Sequence, residues 1–337
     1  MREKTVAIYM TRPVIQFVAQ QGVDLETLYT AVGFNPELLK MPDTAISRSL
    51  HYAIWREAIR QTGDDNLALH LGEVFSLSHY GIVGYVLLNC QTLNEVFEKF
   101  CKYTCLFCQE MLTQLTISDG MAFFECNSIP GCKPDDDLLE TARYDTECTF
   151  ASSLSTIKAL TGKVLRPVAV WFRHQLPADL SEYNRIFQCD VKFSMPVNRL
   201  IFDANCLEWL VLSNNANLLS FFEERAEVIL DQLSGDDLCT AKVTLAIVQR
   251  LKGELPTVNA IASDLAMSTR QLQRALKVEG TSFQKLLDQT RQDLALQYLK
   301  DPTISIHSIA FLLGFSEPSA FNRAFKRWTG KTPGDYR

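Results

Sequence analysis

The sequence contains no run of 18 apolar residues, so nothing in it has the length of a membrane-spanning helix. Its opening stretch, MREKTVAIYMTRPVIQFVAQ, lacks the unbroken apolar core and small-residue cleavage site of an export signal. No compositionally biased tract appears. Catalytic signatures are equally thin. There is no glycine loop to cradle phosphate and no nucleophile elbow, and the histidines at 51, 70, 79, 174 and 307 show no metal-ligand spacing. Asp135-Asp136-Asp137 follows Pro134, a pattern that suits the start of a helix better than a catalytic carboxylate pair. These absences speak against a membrane protein, an exported protein and an enzyme. Neither cofactor nor metal is expected, and the chain is expected in the cytoplasm.

What is present is an ordinary globular composition, 47% hydrophobic and 21% charged, over 337 residues. That length suggests about two domains, each able to bury a core. The ten cysteines are expected as reduced thiols, and only Cys239 lies beyond residue 237. The net charge of −6 hides an asymmetry. From Leu238 onward, seven Lys and seven Arg face three Glu and five Asp, giving +6, so the front carries −12. Lys and Arg displace the counterions condensed on nucleic-acid phosphate, and the tail has the sign that such binding requires.

Along the chain, residues 1 to about 75 read as helical, with Leu50, Ala53, Ile54, Ala58 and Ile59 forming a stripe that Gly63-Asp64-Asp65 stops. From about 80 to 210 both periods occur. Asn94–Cys108 and Leu138–Thr161 fit helices, the second closed by Gly162. Met111–Ser118, Met121–Cys126, Val168–Arg173 and Val191–Ser194 fit strands, and Ser118-Asp119-Gly120 is a hairpin turn. Ala204–Leu233 reads as helix up to a polar break at 234–237, taken as the domain boundary. The expected architecture is an α+β N-terminal domain, 1–234, followed by an all-α tandem helix-turn-helix domain, 235–337. Turns in the second part are marked at Gly253, Met267–Ser268, Gly280, Asp301-Pro302, Gly314 and Gly330.

The tail contains an internal repeat. IASDLAMSTRQLQRALKVEG (261–280) aligns with IAFLLGFSEPSAFNRAFKRWTG (309–330), offset by 48 and, after one inserted residue, by 49. Each copy reads as helix, tight turn, helix, within units at about 257–280 and 305–330. A small residue, Ala262 or Ala310, lets the second helix cross closely. A serine, Ser268 or Ser316, follows the turn as N-cap, and Ser268 with Gln271 has capping-box spacing. Leu272 and Leu276, or Phe321 and Phe325, then point inward. The opposite face carries Arg270, Gln273 and Arg274 in the first copy and Ser319, Asn322 and Arg323 in the second. Arg, Gln and Asn are the side chains that read base edges in the major groove of double-stranded DNA. Between the copies, residues 282–300 read as a linker helix about 27 Å long, close to the ~34 Å between successive major-groove faces.

The string from Gly280 to Arg337, above all IAFLLGFSEPSAFNRAFKRWTGKTPGDYR, resembles the C-terminal signature of the AraC/XylS family of bacterial transcription regulators. The resemblance covers about the last hundred residues. It implies base contacts from Arg270, Gln273, Arg274, Ser319, Asn322 and Arg323, although Ser319 is shorter than the polar residue some members carry there. It implies phosphate-side or structural roles for Lys326, Arg327 and Thr332, and core positions for Phe311, Leu313, Phe315, Phe321, Phe325 and Trp328. More loosely, residues 81–103 and 183–203 are similar to the arabinose-binding-type domain of one branch of the family. That resemblance implies a front half that binds a small-molecule effector and forms a homodimer, in a regulator, usually an activator, that contacts RNA polymerase.

Two front-half features have competing readings. Tyr80, Tyr85, Tyr103 and Phe124 are candidates to line an effector pocket, although at such spacings an ordinary core is the commoner meaning. The spacing of Cys101, Cys105 and Cys108 puts three thiols on one helix face, where three thiolates would bind a soft metal or sense oxidants. The more ordinary reading is that they are small apolar groups packed in the core beside Phe97 and Phe107. A redox- or metal-responsive regulator is thus the alternative to an effector-controlled one.

Overall fold

The computed structural model describes residues 5–41, 44–109, 111–128, 136–233, 239–251, 255–265, 267–299 and 304–337. The expected boundary at 234–237, the turns at Gly253 and Asp301-Pro302, and Asp135 lie outside the described residues. The chain divides into two compact units, with the change at Leu230 and Asp231.

The first unit mixes helices and sheet. Its helices are α1 (Ile8–Gln20), α2 (Leu25–Val32), α3 (Arg48–Thr62), α4 (Leu67–Val74), α5 (Ile82–Asn89), α6 (Leu93–Tyr103), α7 (Asp136–Thr161), α8 (Ser181–Phe187) and α9 (Ala216–Leu233). Its strands are β1 (Thr5–Ala7), β2 (Ala45–Ser47), β3 (Met111–Ser118), β4 (Met121–Ser128), β5 (Ala169–Trp171), β6 (Asp190–Lys192) and β7 (Arg199–Asp203). β1 and β2 pair antiparallel, so residues 1 to 75 are not wholly helical as the periodicity suggested. The other five strands form one sheet in the order β3-β4-β7-β5-β6, antiparallel at β4/β7 and β5/β7 and parallel at β5/β6. β7, its central strand, was not anticipated from the alternation of residues.

Local chemistry sets these limits. Ser47 caps α3 by accepting from the Leu50 amide at 3.2 Å, and Gly63 closes it at φ 68°. Asp119 and Gly120 turn the β3–β4 hairpin with positive φ. Gly72 lets α4 lie directly on α7, because a Cβ there would stand 2.8 Å from the Cys148 carbonyl oxygen. The helix expected over Ala204–Leu233 is interrupted. A 3-10 turn at Ala204–Glu208 is followed by chain whose backbone pairs elsewhere: the Leu93 amide donates to Trp209 O at 2.8 Å and the Val211 amide to Gln91 O at 3.0 Å. Asn215 then starts α9 by accepting from the Asn217 and Leu218 amides.

The second unit is helical: α10 (Cys239–Arg250), α11 (Val258–Asp264), α12 (Thr269–Val278), α13 (Phe283–Tyr298), α14 (Ile306–Leu312), α15 (Pro318–Thr329) and α16 (Pro333–Tyr336). It holds two cores. One gathers Val243, Ile247, Ile261, Ala262, Leu272, Leu276 and Leu287, and the other Ala295, Leu299, Ile309, Ala310, Leu313, Phe321 and Phe325. Leu294 of α13 packs against both.

Candidate nucleic-acid interface

Each copy of the repeat folds as helix, turn, helix. In the first, Thr257 caps α11 and accepts from the Ala260 amide at 3.2 Å. Ser268 caps α12 in a full capping box: its hydroxyl accepts from the Gln271 amide, and its own amide donates to Gln271 Oε1 at 2.8 Å. In the second, Ser305 caps α14. Ala262 and Ala310 are buried beneath α12 and α15 as their size suggested.

The copies differ at the second helix. Ser316 is not the N-cap of α15; Glu317 is, without a side-chain capping bond to the backbone, and Pro318 takes the first helical turn. The inserted residue moves the helix start on by one, and proline suits a position whose amide needs no intrahelical acceptor. Phe311, expected in the core, is 60% exposed on the outer face of α14. The buried positions of that helix are Ile309 and Ala310, and Phe311 falls one step past them.

Arg270, Gln273 and Arg274 are exposed on α12, and Ser319, Asn322 and Arg323 are exposed on α15, as are Lys326 and Arg327. Leu272 and Leu276 behind the first set, and Phe321 and Phe325 behind the second, are 0% exposed, which fixes the orientation of both faces.

The seven tail arginines divide by their partners. Arg250 pairs with Asp264, Nε to Oδ2 at 2.5 Å. Arg327 reaches Asp288 at 3.3 Å. Arg337 donates to Ile304 O. Arg291 is buried, donates from Nε to Leu313 O at 2.9 Å and from Nη2 to Gly314 O at 3.0 Å, and lies 4.3 Å over the Phe315 ring. Among the described residues, no ion pair or hydrogen bond to the chain occupies Arg270, Arg274 or Arg323. These three stand on the second helices of the two units, the elements that enter a major groove in this motif.

Other expected contacts are already engaged. Ser319 Oγ donates to Glu317 Oε2 at 3.1 Å. Thr332 caps α16 and exchanges hydrogen bonds with Asp335, 2.6 Å from its hydroxyl to Oδ2. Two structural residues carried no sequence signal, because neither has a counterpart in the repeat. One is Arg291. The other is Glu279, whose carboxylate accepts from the Cys239 and Thr240 amides at 3.0 and 2.9 Å and so caps α10 from 40 residues away.

The first unit encloses a cavity of about 30 Å³, with His51, Trp55, Tyr80, Phe107, Asp145 and Ser152 in its wall. Of the four aromatics considered for an effector pocket, Tyr80 lines it. Tyr85 is half exposed and stacks on Phe222 at 5.1 Å. Tyr103 donates to Glu227 at 2.9 Å, tying α6 to α9. Phe124 packs among Phe97, Phe100 and Phe150. Asp145 Oδ1 accepts from Trp55 Nε1 at 3.2 Å and lies 3.1 Å from His51 Nε2, while Thr11 Oγ1 lies 2.7 Å from His51 Nδ1. Thr11 and His51 are 40 positions apart, and His51 and Asp145 are 94 apart, beyond any local pattern.

The three thiols do not share a helix face. α6 stops at Tyr103, where Thr104 Oγ1 turns back to Phe100 O at 2.7 Å. Cys105 sits in a 3-10 turn, and Cys108 lies beyond it in the cavity wall. Burial pushes the Cys101 thiol up to about 12, the opposite of a reactive thiolate. Among the described residues no group of three or more His, Cys, Asp or Glu is placed to hold a metal. No helix among them is long and apolar enough to cross a membrane.

The chain matches a family model described as the arabinose-binding domain of AraC transcription regulator, N-terminal, over residues 22–211, and a helix-turn-helix domain model over residues 261–337. It is 30% identical to an ornithine utilization regulator of Pseudomonas aeruginosa over 98% of this chain and 96% of that one. It is 24% identical to an uncharacterized HTH-type transcriptional regulator of Mycobacterium tuberculosis over 98% and 95% of the two chains. The crystal structure of the transcriptional regulator CdpR from Pseudomonas aeruginosa aligns over 97% of both chains with 22% identity and a TM-score of 0.49.

Proposed function

The chain belongs to the AraC family of transcription regulators, and from that premise we propose that it is an effector-controlled activator that binds DNA as a homodimer. That it is a DNA-binding regulator follows from the family; the division of labour within it is our reading. The three arginines on α12 and α15 that have no partner among the described residues carry this reading. Arg270, Gln273 and Arg274 read base edges in one major-groove segment, and Asn322 and Arg323 in the next. Ser319, held by Glu317, contributes least. Lys326 faces phosphate, while Arg327 and Thr332 brace the fold.

The first unit holds the effector in the cavity at Tyr80 and provides the dimer contact. Leu218, Phe221 and Val228 turn outward from α9, at 45%, 64% and 40% exposure, which supports a contact on that helix. Effector binding biases the dimer toward the geometry that engages DNA and RNA polymerase.

Footprinting on the regulated promoter tests the groove-reading claim. Arg274→Ala and Arg323→Ala are each expected to weaken specific binding about 5- to 100-fold, a loss of roughly 1–3 kcal/mol. Both variants footprinting like wild type would remove the assignment.

A further inference from the structure

An effector cavity discriminates first by charge, and among the described residues this one is lined by a single carboxylate and no lysine or arginine. Asp145 is the anion, and His51 lies beside it, with Nε2 3.1 Å from Asp145 Oδ1 and Nδ1 2.7 Å from Thr11 Oγ1. Trp55 Nε1 donates to Asp145 Oδ1 and to His51 Nε2, each at 3.2 Å. Both hydrogen bonds that described side chains give Asp145 fall on Oδ1, which leaves Oδ2 to a ligand. Burial opposes the charge on Asp145, but His51 and Arg48 outweigh it and hold the carboxyl below its usual range. Arg48 itself directs Nε to the Tyr52 hydroxyl at 3.0 Å and is not part of the wall.

The rest of the lining is what a cation prefers. Trp55, Phe75, Tyr80 and Phe107 present aromatic rings, with Phe75 and Phe107 each within 5.2 Å of Tyr80, centre to centre. Ring faces attract ammonium groups. Tyr80 OH and Ser152 Oγ, 3.4 Å apart, add oxygen acceptors. The cavity, about 30 Å³, takes a group the size of one water, which is also the size of an ammonium head. An anionic effector would meet Asp145 with no lysine or arginine among the described residues of the wall to offset it.

We propose that the effector is a small molecule with an ammonium end, which seats against Asp145 inside the ring of Trp55, Phe75 and Tyr80. This rests on the reading of the cavity as the effector site.

The test is titration of the full-length protein with 1,4-diaminobutane, glutarate and 1-butanol, followed by calorimetry and by tryptophan fluorescence. Trp55 reports from the cavity wall, and a Trp55→Phe variant identifies its share of the signal. The diamine is expected to bind and change the Trp55 signal, while the dianion and the alcohol do neither. Asp145→Asn should weaken the diamine at least tenfold. If that variant does not fold, Phe75→Leu serves instead and should weaken the diamine about threefold, the share of one aromatic wall. Diamine affinity unchanged in the variant that folds overturns the cation assignment. So does glutarate binding that moves the Trp55 signal, although the cavity would then still be the effector site. If none of the three probes reaches Trp55, yet another small molecule that changes DNA affinity does so elsewhere, the cavity reading falls and this proposal with it.

Discussion

At Arg291 a guanidinium sits where two carbonyls at the end of α14 would otherwise lack donors. The planar fork meets both, with its central carbon 4.3 Å from the centre of the Phe315 ring. Burial lowers its pKa. Arg291→Ala should destabilise the tail by about 3 kcal/mol in urea melts, since it strands two acceptors and removes a buried stem. Arg291→Lys keeps the charge but not the fork, and should fall between the two. An alanine variant of wild-type stability would show that the bracing is worth little. Its exposed neighbour Arg323 should behave the opposite way, with little change in melting and a large change in DNA binding, because among the described residues nothing in the chain depends on it.

Among elements, the two recognition helices start differently, and the difference can be measured. Ser268→Ala removes both bonds of a capping box and should cost about 1 kcal/mol. Ser316→Ala should be near neutral, because the cap of α15 is Glu317. Equal costs would mean that the helix start has been misplaced. In the first unit His70 joins α4 to α8. Its Nδ1 lies 2.7 Å from Asp64 and its Nε2 2.9 Å from Glu182. Burial works against the charged imidazole, but the two carboxylates outweigh it and raise the pKa. A raised value means that the network stabilises the fold fully below the unfolded pKa of about 6.5, and that this contribution fades as pH climbs through the folded value. The melting temperature lost in His70→Gln should therefore be larger near pH 6 than near pH 8.5, and a pH-independent loss would contradict the linkage.

The tail was legible in the sequence because each element repeats, so one copy vouches for the other. What the repeat could not show was the effect of its own inserted residue, which displaced the cap from Ser316, nor contacts peculiar to one copy such as those of Arg291 and Glu279. The front was legible only where local signals dominate: the β3–β4 hairpin, α3 with its closing Gly63, and α7. The break after Ala204 was hidden because long-range backbone pairing with 89–93 overrides helical periodicity there. The three cysteines misled for a related reason, since Thr104 ends the helix that their spacing presupposes.

For the whole molecule, a tail of +6 joined to a front of −12 makes DNA affinity a matter of ionic strength. Each neutralised phosphate releases condensed counterions, so log affinity should fall linearly with log salt. For about five phosphate contacts, affinity should fall several hundred-fold between roughly 50 and 200 mM salt. A flat profile would argue that the tail's charge faces something other than phosphate.

The shared helix α13 has a consequence of another kind. Leu294 belongs to both cores, so the two readers are bolted to one shaft rather than strung on a tether. A rigid shaft turns spacing into information. One extra residue in α13 would rotate one reader by about 100° against the other and shift it by about 1.5 Å. The operators of this protein should therefore vary in their letters but not in the gap between their two halves. A binding selection from randomised DNA would show this as a single separation.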